Sequence, residues 1–487
     1  MTIQPKLTNF PTSVFATSKR RLQARIRQQR QAALNRSLGG YSCLFESVIP
    51  AGWLAQIDPT QRQRTMGAIP IFWAWIAQLF EQNGSCSKAL TMLQSWYQEL
   101  GLPVPSGGTS GYCQARRRLS VSFISQIQTK IYDQLTARTR ERDRWRGFRL
   151  KAIDGSSVQL MDTPENQAEY AQPSTQKPGC GFPVVGITGL LDLSSGAWQA
   201  IAPSDFRQHD SKAAFGVIDH LGTGELLLAD RAYCGYALMA SVLGKGCHVA
   251  FRLNGARHRK LDWRRGKRVS NIARIVTWER GRYHKGSSIS REVWEALPKT
   301  LTLRLIKMKF SDRMGERRHL VVATTLLDSK QYPDEEVFQL YARRWEIEVR
   351  LRDVKTTMGL ESLNVRTPEM ARKTLLIATI AYNLIRSVMQ HTAVEADCDL
   401  EETSFKATLD SLTATRSQYR QAFSSPTKRR KMWDFLIRLS VEKRLTLRPY
   451  RHEPRATKRR PKPYAYLTDF RSVFREIPHR EHHRKSA

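Results

Sequence analysis

The chain has 487 residues, more than one hydrophobic core usually serves, so we expect two to four domains. Apolar residues make up 41% of the total, which excludes a wholly disordered chain and predicts globular folding. Lys and Arg number 79 against 44 Asp and Glu, and the net charge of +35 predicts a polyanionic partner, nucleic acid above all.

Cysteine usage and hydropathy limit the class of protein further. The seven Cys residues are scattered and show no Cys-x-x-Cys or Cys/His ligand spacing, so neither a disulfide framework nor a zinc site is indicated. The most apolar run, residues 66–80, contains Pro70 and is too short to span a bilayer comfortably. We interpret it as a buried helix, and we expect a protein of the reducing cytoplasm that does not enter a membrane.

The N-terminal part is basic and helical in pattern. Residues 1–44 form a basic arm whose stretch 21–34 either binds DNA or docks loosely as a basic helix. In residues 45–140 the apolar side chains have helical spacing, and a loop at 103–111 leads into the run Tyr112-Cys-Gln-Ala-Arg-Arg-Arg-Leu. We expect this run to begin a helix whose arginines lie along phosphates, in a small helical DNA-binding domain. A domain that only packs is the alternative.

The pattern changes to strands near Phe148. Residues 148–153 alternate as a strand that runs into Asp154 and a turn-like Gly-Ser-Ser, and the apolar run 225–229 is typical of a buried central strand that ends in Asp230. The pattern also predicts strands at 183–193, 197–202 and 248–252 and helices at 211–221 and 236–243. This order predicts an α/β fold with a mixed sheet, in which Asp154 and Asp230 lie on adjacent strands.

The later part of the chain is less regular. Residues at about 254–318 contain basic runs and short β-like pieces, which indicate an inserted β-rich subdomain. A strand from Leu320 and a helix opened by Pro333 follow. Residues 372–389 should form a core helix because they are apolar nearly all round. Residues 391–487 are predicted as a basic helical region with a basic tail suited to phosphate binding.

The stretch 341–355 is predicted to form one helix with two stripes. At about 100° per residue its polar stripe contains one carboxylate among cations and a phenol, namely Tyr341, Arg344, Glu348, Arg352 and Lys355. The neighbouring stripe is apolar and consists of Leu340, Ile347, Leu351 and Val354. Packed by its apolar stripe, the helix would hold Glu348 at the edge of a core, facing an anion. A solvated face with ion pairs is the alternative for this helix taken alone.

Asp154, Asp230 and Glu348 together predict an oxygen-rich site for Mg²⁺ or Mn²⁺. Two such ions about 4 Å apart activate a water or a 3′-hydroxyl and stabilise the leaving oxygen of a phosphodiester, so in-line phosphoryl transfer is the predicted reaction. Taken singly, a strand-end Asp is as readily a turn or cap residue. The interpretation therefore depends on the three residues together.

With these residues in place, the chain resembles the DDE transposases of bacterial insertion sequences, in their insertion-sequence-four branch. The predicted helix matches every fixed position of that family's Y-x2-R-x3-E-x6-K motif, at Tyr341, Arg344, Glu348 and Lys355. Asp154-Gly-Ser resembles the first-Asp motif and Asp230-Arg-Ala-Tyr the second. Arg252 resembles a family arginine that contacts DNA near the transferred end, and Arg231 joins it as a DNA-binding candidate.

The resemblance covers about residues 45–390 and implies an RNase H-like catalytic domain at 146–390, with the β-rich insertion at about 254–318. It implies cut-and-paste transposition: Mg²⁺-dependent hydrolysis at the terminal inverted repeats of double-stranded DNA, then attack of the freed 3′-hydroxyl on target DNA. Two metal ions held by the three carboxylates, a homodimer in the synaptic complex and a nucleoid-associated bacterial protein are further implications. Tyr341, Arg344 and Lys355 would then position phosphates.

One feature departs from the family. A relative stacks a flipped base on a Trp shortly before the motif Tyr, whereas residues 317–322 here read Arg-Arg-His-Leu-Val-Val. Trp278 and Trp294 are candidates for that role, with core packing as their alternative. Two other functions stay open for the whole chain: an RNase H-fold nuclease that cuts without joining, and a non-catalytic, transposase-derived DNA-binding protein.

Overall fold

The computed structural model describes residues 20–24, 26, 40–57, 66–81, 84–174, 180–284, 286–311, 317–422, 425–445 and 473. Most of the predicted basic arm and nearly all of the predicted basic tail lie outside these residues. The chain divides into two compact units, one made of residues up to Ile127 with Ala407–Glu442 and the other centred on Gln128–Lys406. The predicted C-terminal region 391–487 is therefore not one piece, because its helical part 407–442 groups with the N-terminal helices.

Helices and strands of the described residues are numbered in chain order. The helices are α1 (Tyr41–Leu44), α2 (Ala51–Ile57), α3 (Ala68–Phe80), α4 (Cys86–Glu99), α5 (Thr109–Arg118), α6 (Val121–Ala137), α7 (Pro164–Glu169), α8 (Asp210–Ala213), α9 (Tyr236–Gly244), α10 (Gly255–Arg259), α11 (Arg291–Ala296), α12 (Asp334–Ala342), α13 (Trp345–Arg352), α14 (Pro368–Glu395), α15 (Phe405–Gln421) and α16 (Pro426–Glu442). The strands are β1 (Arg149–Leu160), β2 (Val184–Asp192), β3 (Ala197–Asp205), β4 (Glu225–Ala229), β5 (His248–Arg252), β6 (Lys267–Arg268), β7 (Ala273–Glu279), β8 (Thr300–Ser311), β9 (Arg317–Thr324) and β10 (Ser362–Leu363).

The first unit is helical, and its core helix is α3. As predicted, this apolar run is buried along almost its whole length, with Pro70 in the first turn, where a missing N–H costs no helical hydrogen bond. No helix in the described part of the chain is long and apolar enough to cross a membrane.

The arginine run of the first unit differs from its prediction. Arg116, Arg117 and Arg118 end helix α5 rather than begin one, and cations in a last turn complement the helix dipole. The Arg116 side chain is buried, with its guanidinium 4.0 Å from the centre of the Trp75 ring. This arginine packs against an aromatic ring and is not exposed to phosphates.

The second unit is built on one mixed sheet, so the predicted α/β class is confirmed at that level. Within the described residues ten strands pair in the order β3-β2-β1-β4-β5-β9-β8-β7-β6, and the short β10 pairs with β1. Strands β1, β4 and β5 are parallel neighbours, whereas β2 is antiparallel to both β1 and β3. Strand β4 is buried at every position, as its apolar run predicted for a central strand.

The predicted insertion is β-rich but is not a separate subdomain. Its strands β6, β7 and β8 pair in series, β8 pairs with β9, and β9 pairs antiparallel with β5. The insertion therefore extends the same sheet beyond β5. The helix predicted at 211–221 is also wrong, because this segment forms α8 and two single 3-10 turns, Ala214–Gly216 and Ile218–His220.

Strand β1 is longer than predicted, and Asp154 lies within it rather than at its end. The predicted turn after Asp154 is extended because β2 pairs with β1 from Lys151 as far as Gln159. Strand β4, in contrast, pairs with β1 only up to Ile153. Asp154 is therefore the first residue of β1 after its pairing with β4 ends, although β1 itself continues to Leu160.

The stretch 341–355 is not one helix. Helix α12 ends at Ala342, α13 begins at Trp345, and a π-helical turn, Asp353–Thr357, follows. At the junction the N–H groups of Arg343 and Arg344 donate to the carbonyls three residues earlier, so the backbone tightens there. The predicted apolar stripe of Leu340, Ile347, Leu351 and Val354 is buried all the same.

Helix α14 covers the β3 side of the sheet. It begins at Pro368 after Thr367, whose hydroxyl accepts a hydrogen bond from the Met370 N–H. Its buried Asn383 bonds both backbone groups of Trp198 on β3, accepting from the N–H and donating to the carbonyl, each at 2.9 Å. These bonds satisfy strand groups beside the irregular β2–β3 register at Leu190 and Leu191.

A buried ion cluster joins the strands that carry the two aspartates. The Lys151 side chain of β1 is 0% exposed, and its ammonium lies 2.8 Å from Asp192 on β2 and 3.2 Å from Glu225 on β4. It also donates to the Tyr132 hydroxyl of α6. Burial alone lowers the pKa of Lys151, but Asp192, Tyr132 and Glu225 together raise it above its usual value.

Replacing Lys151 with Met is expected to lower the free energy of unfolding by about 3–5 kcal/mol, because Asp192 and Glu225 would stay buried without their cation. Chemical denaturation followed by circular dichroism measures the loss. Lys245→Met is the matched control, since Lys245 forms a partly exposed pair with Asp219 and should cost no more than about 1 kcal/mol. Equal losses for the two variants would contradict the role given to the cluster.

Candidate active site

Two neighbouring parallel strands bring Asp154 and Asp230 together. The pairing of β1 with β4 ends at Ile153 and Ala229, so the next residue on each strand is one of the two aspartates. Asp230 starts a 3-10 turn, in which its carbonyl accepts a hydrogen bond from the Tyr233 N–H at 3.0 Å. Parallel strands point the same way, so Asp154 and Asp230 follow the β1–β4 pairing side by side, although β1 continues past Asp154.

Glu348 of helix α13 is connected to Asp154 by the side chain of Arg344. Atom Nη2 of Arg344 donates to Oε1 of Glu348 at 2.9 Å, and Nη1 lies 3.8 Å from Oδ2 of Asp154. Arg344 is 5% exposed and its Nε is buried without a hydrogen bond. One guanidinium therefore bridges the helix carboxylate and the first strand carboxylate.

Asp230 has a second arginine as its partner. Atom Nη1 of Arg252, at the end of β5, lies 3.8 Å from Oδ1 of Asp230. At that separation there is no hydrogen bond, and Oδ1 is a buried acceptor without a donor. Arg252 was predicted to contact DNA; in this structure it lies beside the second aspartate.

The electrostatic environment of Asp154 is unfavourable to its charge. The pKa of this carboxyl is raised to about 6, mainly by burial and also by the charges of Glu348 and Asp230, while the Gly155 N–H and Arg344 lower it. The Gly155 N–H donates to Asp154 Oδ1 at 2.9 Å. A cation among the three carboxylates would relieve this repulsion.

Tyr341 is more deeply placed than its predicted role suggests. It is 4% exposed, and burial raises the pKa of its phenol, as does the neighbouring charge of Asp230, whereas Arg344 and Arg252 lower it. The phenol thus lies among the arginines and aspartates of the site. Contact with DNA stays a prediction for this residue.

An open cleft of about 520 Å³ lies in front of Asp154 and Glu348. The remaining residues that line it are Gly155, Ser156, Leu351, Arg352, Lys355, Thr356 and Glu361. Lys355 donates to the Ser156 hydroxyl at 3.1 Å, which ties the π-helical turn to β1. Arg352, which shares the polar stripe but not the motif, lies in this cleft.

The structure gathers most of the predicted site residues but not all of them. Arg231 is exposed in the turn after Asp230, and its DNA contact stays a prediction. Of the two aromatic candidates, Trp278 has the Arg257 guanidinium 3.9 Å from its ring centre, and Trp294 packs against Tyr236. Both rings therefore have packing partners within the protein.

Sequence reasoning gave no role in the site to three residues that line the cleft, among them Thr356, nor to Trp345, which lies outside that lining. Ser156 and Glu361 are the other two lining residues, and Trp345 beside Arg344 is 59% exposed. The one signal in the sequence was the position of Trp345 between two arginines and a glutamate, on the charged part of the predicted helix. Nothing in the local pattern indicated that Ser156 would meet Lys355.

The donor set fits a hard divalent cation in its chemistry. Asp154, Asp230 and Glu348 offer only carboxylate oxygens, one of them a buried acceptor without a donor. Among the described residues, however, no group of three or more His, Cys, Asp or Glu side chains is placed to hold a metal ion as it stands. Arg344 and Arg252 lie beside the oxygens that such an ion would use.

Replacing Asp154 with Asn is expected to stabilise the protein at neutral pH. The folded-state pKa of about 6 lies above the ordinary value of 3.8, so folding disfavours the charged form. The stability that Asp154 contributes is complete below about pH 4, where it is protonated in both states, and is lost as pH rises through about 6.

The gain of the Asn variant should therefore grow between about pH 4 and 6 and reach at most about 3 kcal/mol above that range. Denaturation midpoints at about pH 4 and pH 7.5 measure it. Asp262→Asn, the same substitution at a more exposed carboxylate outside the site, is the control variant. A gain of equal size at both pH values would contradict the assignment.

Comparison with known proteins finds similarity to transposases. Residues 145–384 match the family described as "Transposase DDE domain". The transposase InsG of insertion sequence element IS4 from Escherichia coli strain K12 is 27% identical over 334 residues, which cover 68% of this chain and 71% of InsG. A cryo-EM structure of the piggyBac transposase synaptic complex with hairpin DNA covers 83% of this chain and 86% of its own, at 10% identity and a TM-score of 0.39.

The matched family segment contains Asp154, Asp230 and Glu348, together with every residue of the motif at 341–355. Its limits lie close to those of the sheet and helices that hold the site. The chain therefore contains a transposase DDE domain and is similar to the transposase of IS4, and it is an enzyme of the polynucleotidyl-transferase class.

Proposed function

We propose that this protein moves an insertion sequence by a cut-and-paste mechanism, hydrolysing DNA at the terminal inverted repeats and joining the freed 3′-hydroxyl to target DNA. The observation that carries the proposal is that Asp154 and Asp230 directly follow the paired parts of β1 and β4, and that Arg344 joins Glu348 to Asp154, within a transposase DDE domain. The similarity to the IS4 transposase supports an insertion sequence as the substrate. Tyr341, Arg344, Glu348 and Lys355 support the Y-R-E-K branch of that family.

We assign the metal ligands to Asp154, Asp230 and Glu348. Two Mg²⁺ or Mn²⁺ ions bound there would activate the attacking water or 3′-hydroxyl and stabilise the leaving oxygen. Only carboxylate oxygens are offered, a donor set that favours these hard cations over zinc or copper. The raised pKa of Asp154 means that this ligand must lose its proton before it can bind a cation, so activity should fall as pH drops through about 6.

The cations of the cleft have a separate role in this proposal. Lys355 and Arg352 line the cleft beside Asp154 and Glu348, where they would bind the phosphates next to the scissile bond. Arg252 at the end of β5 lies beside Asp230, and the exposed Arg231 directly follows it. Both would contact the same DNA on the side of the site formed by β4 and β5. The charge of +35 supports wider contact with the DNA backbone.

The proposal extends to fold and assembly. The order β3-β2-β1-β4-β5, with antiparallel pairing through β2 and parallel pairing through β4, supports an RNase H-like catalytic core. We further propose a homodimer in the synaptic complex, acting on nucleoid DNA in a bacterial cytoplasm. Cleavage through a DNA hairpin, in which the freed 3′-hydroxyl first attacks the opposite strand, is one outcome that the assay below detects.

The roles of Asp154, Asp230 and Glu348 can be tested with Glu361, a carboxylate that lines the cleft, as the control. Asp154→Asn, Asp230→Asn and Glu348→Gln are each expected to lower metal-dependent DNA cleavage by about 10²-fold or more, since metal-held charge stabilisation contributes several kcal/mol. Glu361→Gln is the control, because Glu361 lines the cleft but is held by the Thr356 hydroxyl at 2.8 Å. It should retain activity.

The assay uses purified full-length protein, Mg²⁺ and a labelled duplex taken from the DNA that flanks the gene. Joined products are expected beside cleaved ends, and a closed hairpin would appear as a slowly migrating strand on a denaturing gel. Cleavage without any joined product would instead establish a nuclease. Unchanged cleavage by Asp154→Asn or Glu348→Gln would refute the catalytic assignment.

DNA binding is expected to weaken steeply with salt. A protein that neutralises six to ten phosphates loses about 10³–10⁵ in affinity between 50 and 200 mM salt. Fluorescence anisotropy with a labelled duplex over that range gives the slope, and Lys355→Gln should reduce it by about one unit. A flat dependence would contradict phosphate-dominated binding.

A further inference from the structure

Each of the three carboxylates of the site is paired with an arginine. Arg344 contacts Glu348 at 2.9 Å and Asp154 at 3.8 Å, and Arg252 lies 3.8 Å from Asp230. Arg344 is 5% exposed and lies between Glu348, four residues later in the chain, and Asp154 on strand β1.

The position of Arg344 conflicts with direct metal loading. Its guanidinium faces Oδ2 of Asp154 and Oε1 of Glu348, two of the oxygens that a divalent cation would use. A cation at those oxygens would meet both the volume and the positive charge of the guanidinium, at a range where like charges repel strongly. The described residues accordingly present no ready group of three metal ligands.

The same guanidinium has a better partner once DNA is present. Arginine binds phosphate with two parallel hydrogen bonds, and the cleft beside Arg344 is already lined by Lys355 and Arg352, which attract a phosphate backbone. A buried Nε without a hydrogen bond shows that Arg344 does not use all of its donors in its present position. A phosphate in the cleft would offer acceptors to those donors.

We propose that Arg344 is a latch on the metal site: without DNA its guanidinium holds Asp154 and Glu348, and a DNA phosphate draws it away so that divalent ions can bind. This inference rests on the proposed function and adds its regulation. The latch couples the two ligands, so DNA raises the affinity for metal and metal raises the affinity for DNA by the same factor. A transposase with this device does not carry a loaded nuclease centre when it is free of DNA.

The adjacent arginine supplies a matched control. Arg343 lies next to Arg344 in the same backbone turn, but it pairs with Glu346 at 2.7 Å and Glu401 at 2.8 Å. Neither partner belongs to the three carboxylates of the site. Removing Arg343 therefore removes an equal charge from the same segment without opening the latch.

The test is a titration of the full-length protein with Mn²⁺ alone, followed by calorimetry or by the electron paramagnetic resonance signal of free Mn²⁺. Arg344→Ala and Arg344→Met should bind Mn²⁺ at least about tenfold more tightly than the unchanged protein, because a repelling unit charge is gone. Arg343→Ala should bind as the unchanged protein does. The double variant Arg344→Ala/Asp154→Asn should lose the gain, which assigns it to the site and not to surface carboxylates.

The same titration is repeated with a saturating short duplex of arbitrary sequence. The duplex should tighten Mn²⁺ binding to the unchanged protein and to Arg343→Ala, and it should add little in the Arg344 variants. Circular dichroism before each titration establishes that a variant is folded, and Arg344→Met keeps the packing volume if Arg344→Ala does not fold.

Two outcomes separate the latch from the proposed function. Equal Mn²⁺ affinity in the unchanged protein and in both Arg344 variants, with and without DNA, would overturn the latch and leave the metal site standing. Failure of every one of these proteins to bind Mn²⁺, even with DNA, would overturn both the latch and the assignment of the three carboxylates as metal ligands.

Discussion

The ammonium group of Lys151 is fully buried between Asp192 on β2 and Glu225 on β4. A one-residue slip of β1 against either neighbour would turn Lys151 to the other face of the sheet and leave two carboxylates buried without a cation, so the cluster opposes slippage. Asp154 lies three residues further along the same strand, and Asp230 directly follows the strand that carries Glu225. The relative position of the two aspartates therefore depends on an ion cluster that itself takes no part in chemistry.

A buried arginine connects the extended part of the sheet to helix α12, which ends at the site. Arg304 of β8 is fully buried, lies 3.6 Å from Asp334 at the start of α12, and donates to the Tyr332 carbonyl at 2.8 Å. The Ser270 hydroxyl, just before β7, donates to the same Asp334. Because Tyr341 lies in the last turn of α12, the extension of the sheet beyond β5 helps to position one end of the Y-R-E-K segment.

At the site, burial and neighbouring carboxylates destabilise the charged form of Asp154. Arg344 offsets part of that cost in the present structure, as any cation placed among the three carboxylates would. Such perturbed groups are typical of functional sites, where local stability is lost in exchange for chemistry. The fully paired cluster around Lys151 shows the opposite arrangement, in which burial is balanced by close partners.

Local sequence determined much of this protein. The buried run of β4, the core helix α14 and the apolar stripe at 340–354 follow from periodicity, because such patterns reflect contacts between near neighbours in the chain. Motif spacing predicted Asp154, Asp230 and Glu348 as the carboxylates of the site. Tertiary structure decided the remainder. Residues Gly155 to Gln159 form a strand and not a turn because β2 pairs with them. The insertion joins the main sheet because β9 pairs with β5. The helix predicted at 341–355 is divided into three segments. Ser156 meets Lys355, and Arg344 meets Asp154, across about 200 residues of chain. Contacts at that separation depend on the packing of whole elements, which no local pattern encodes.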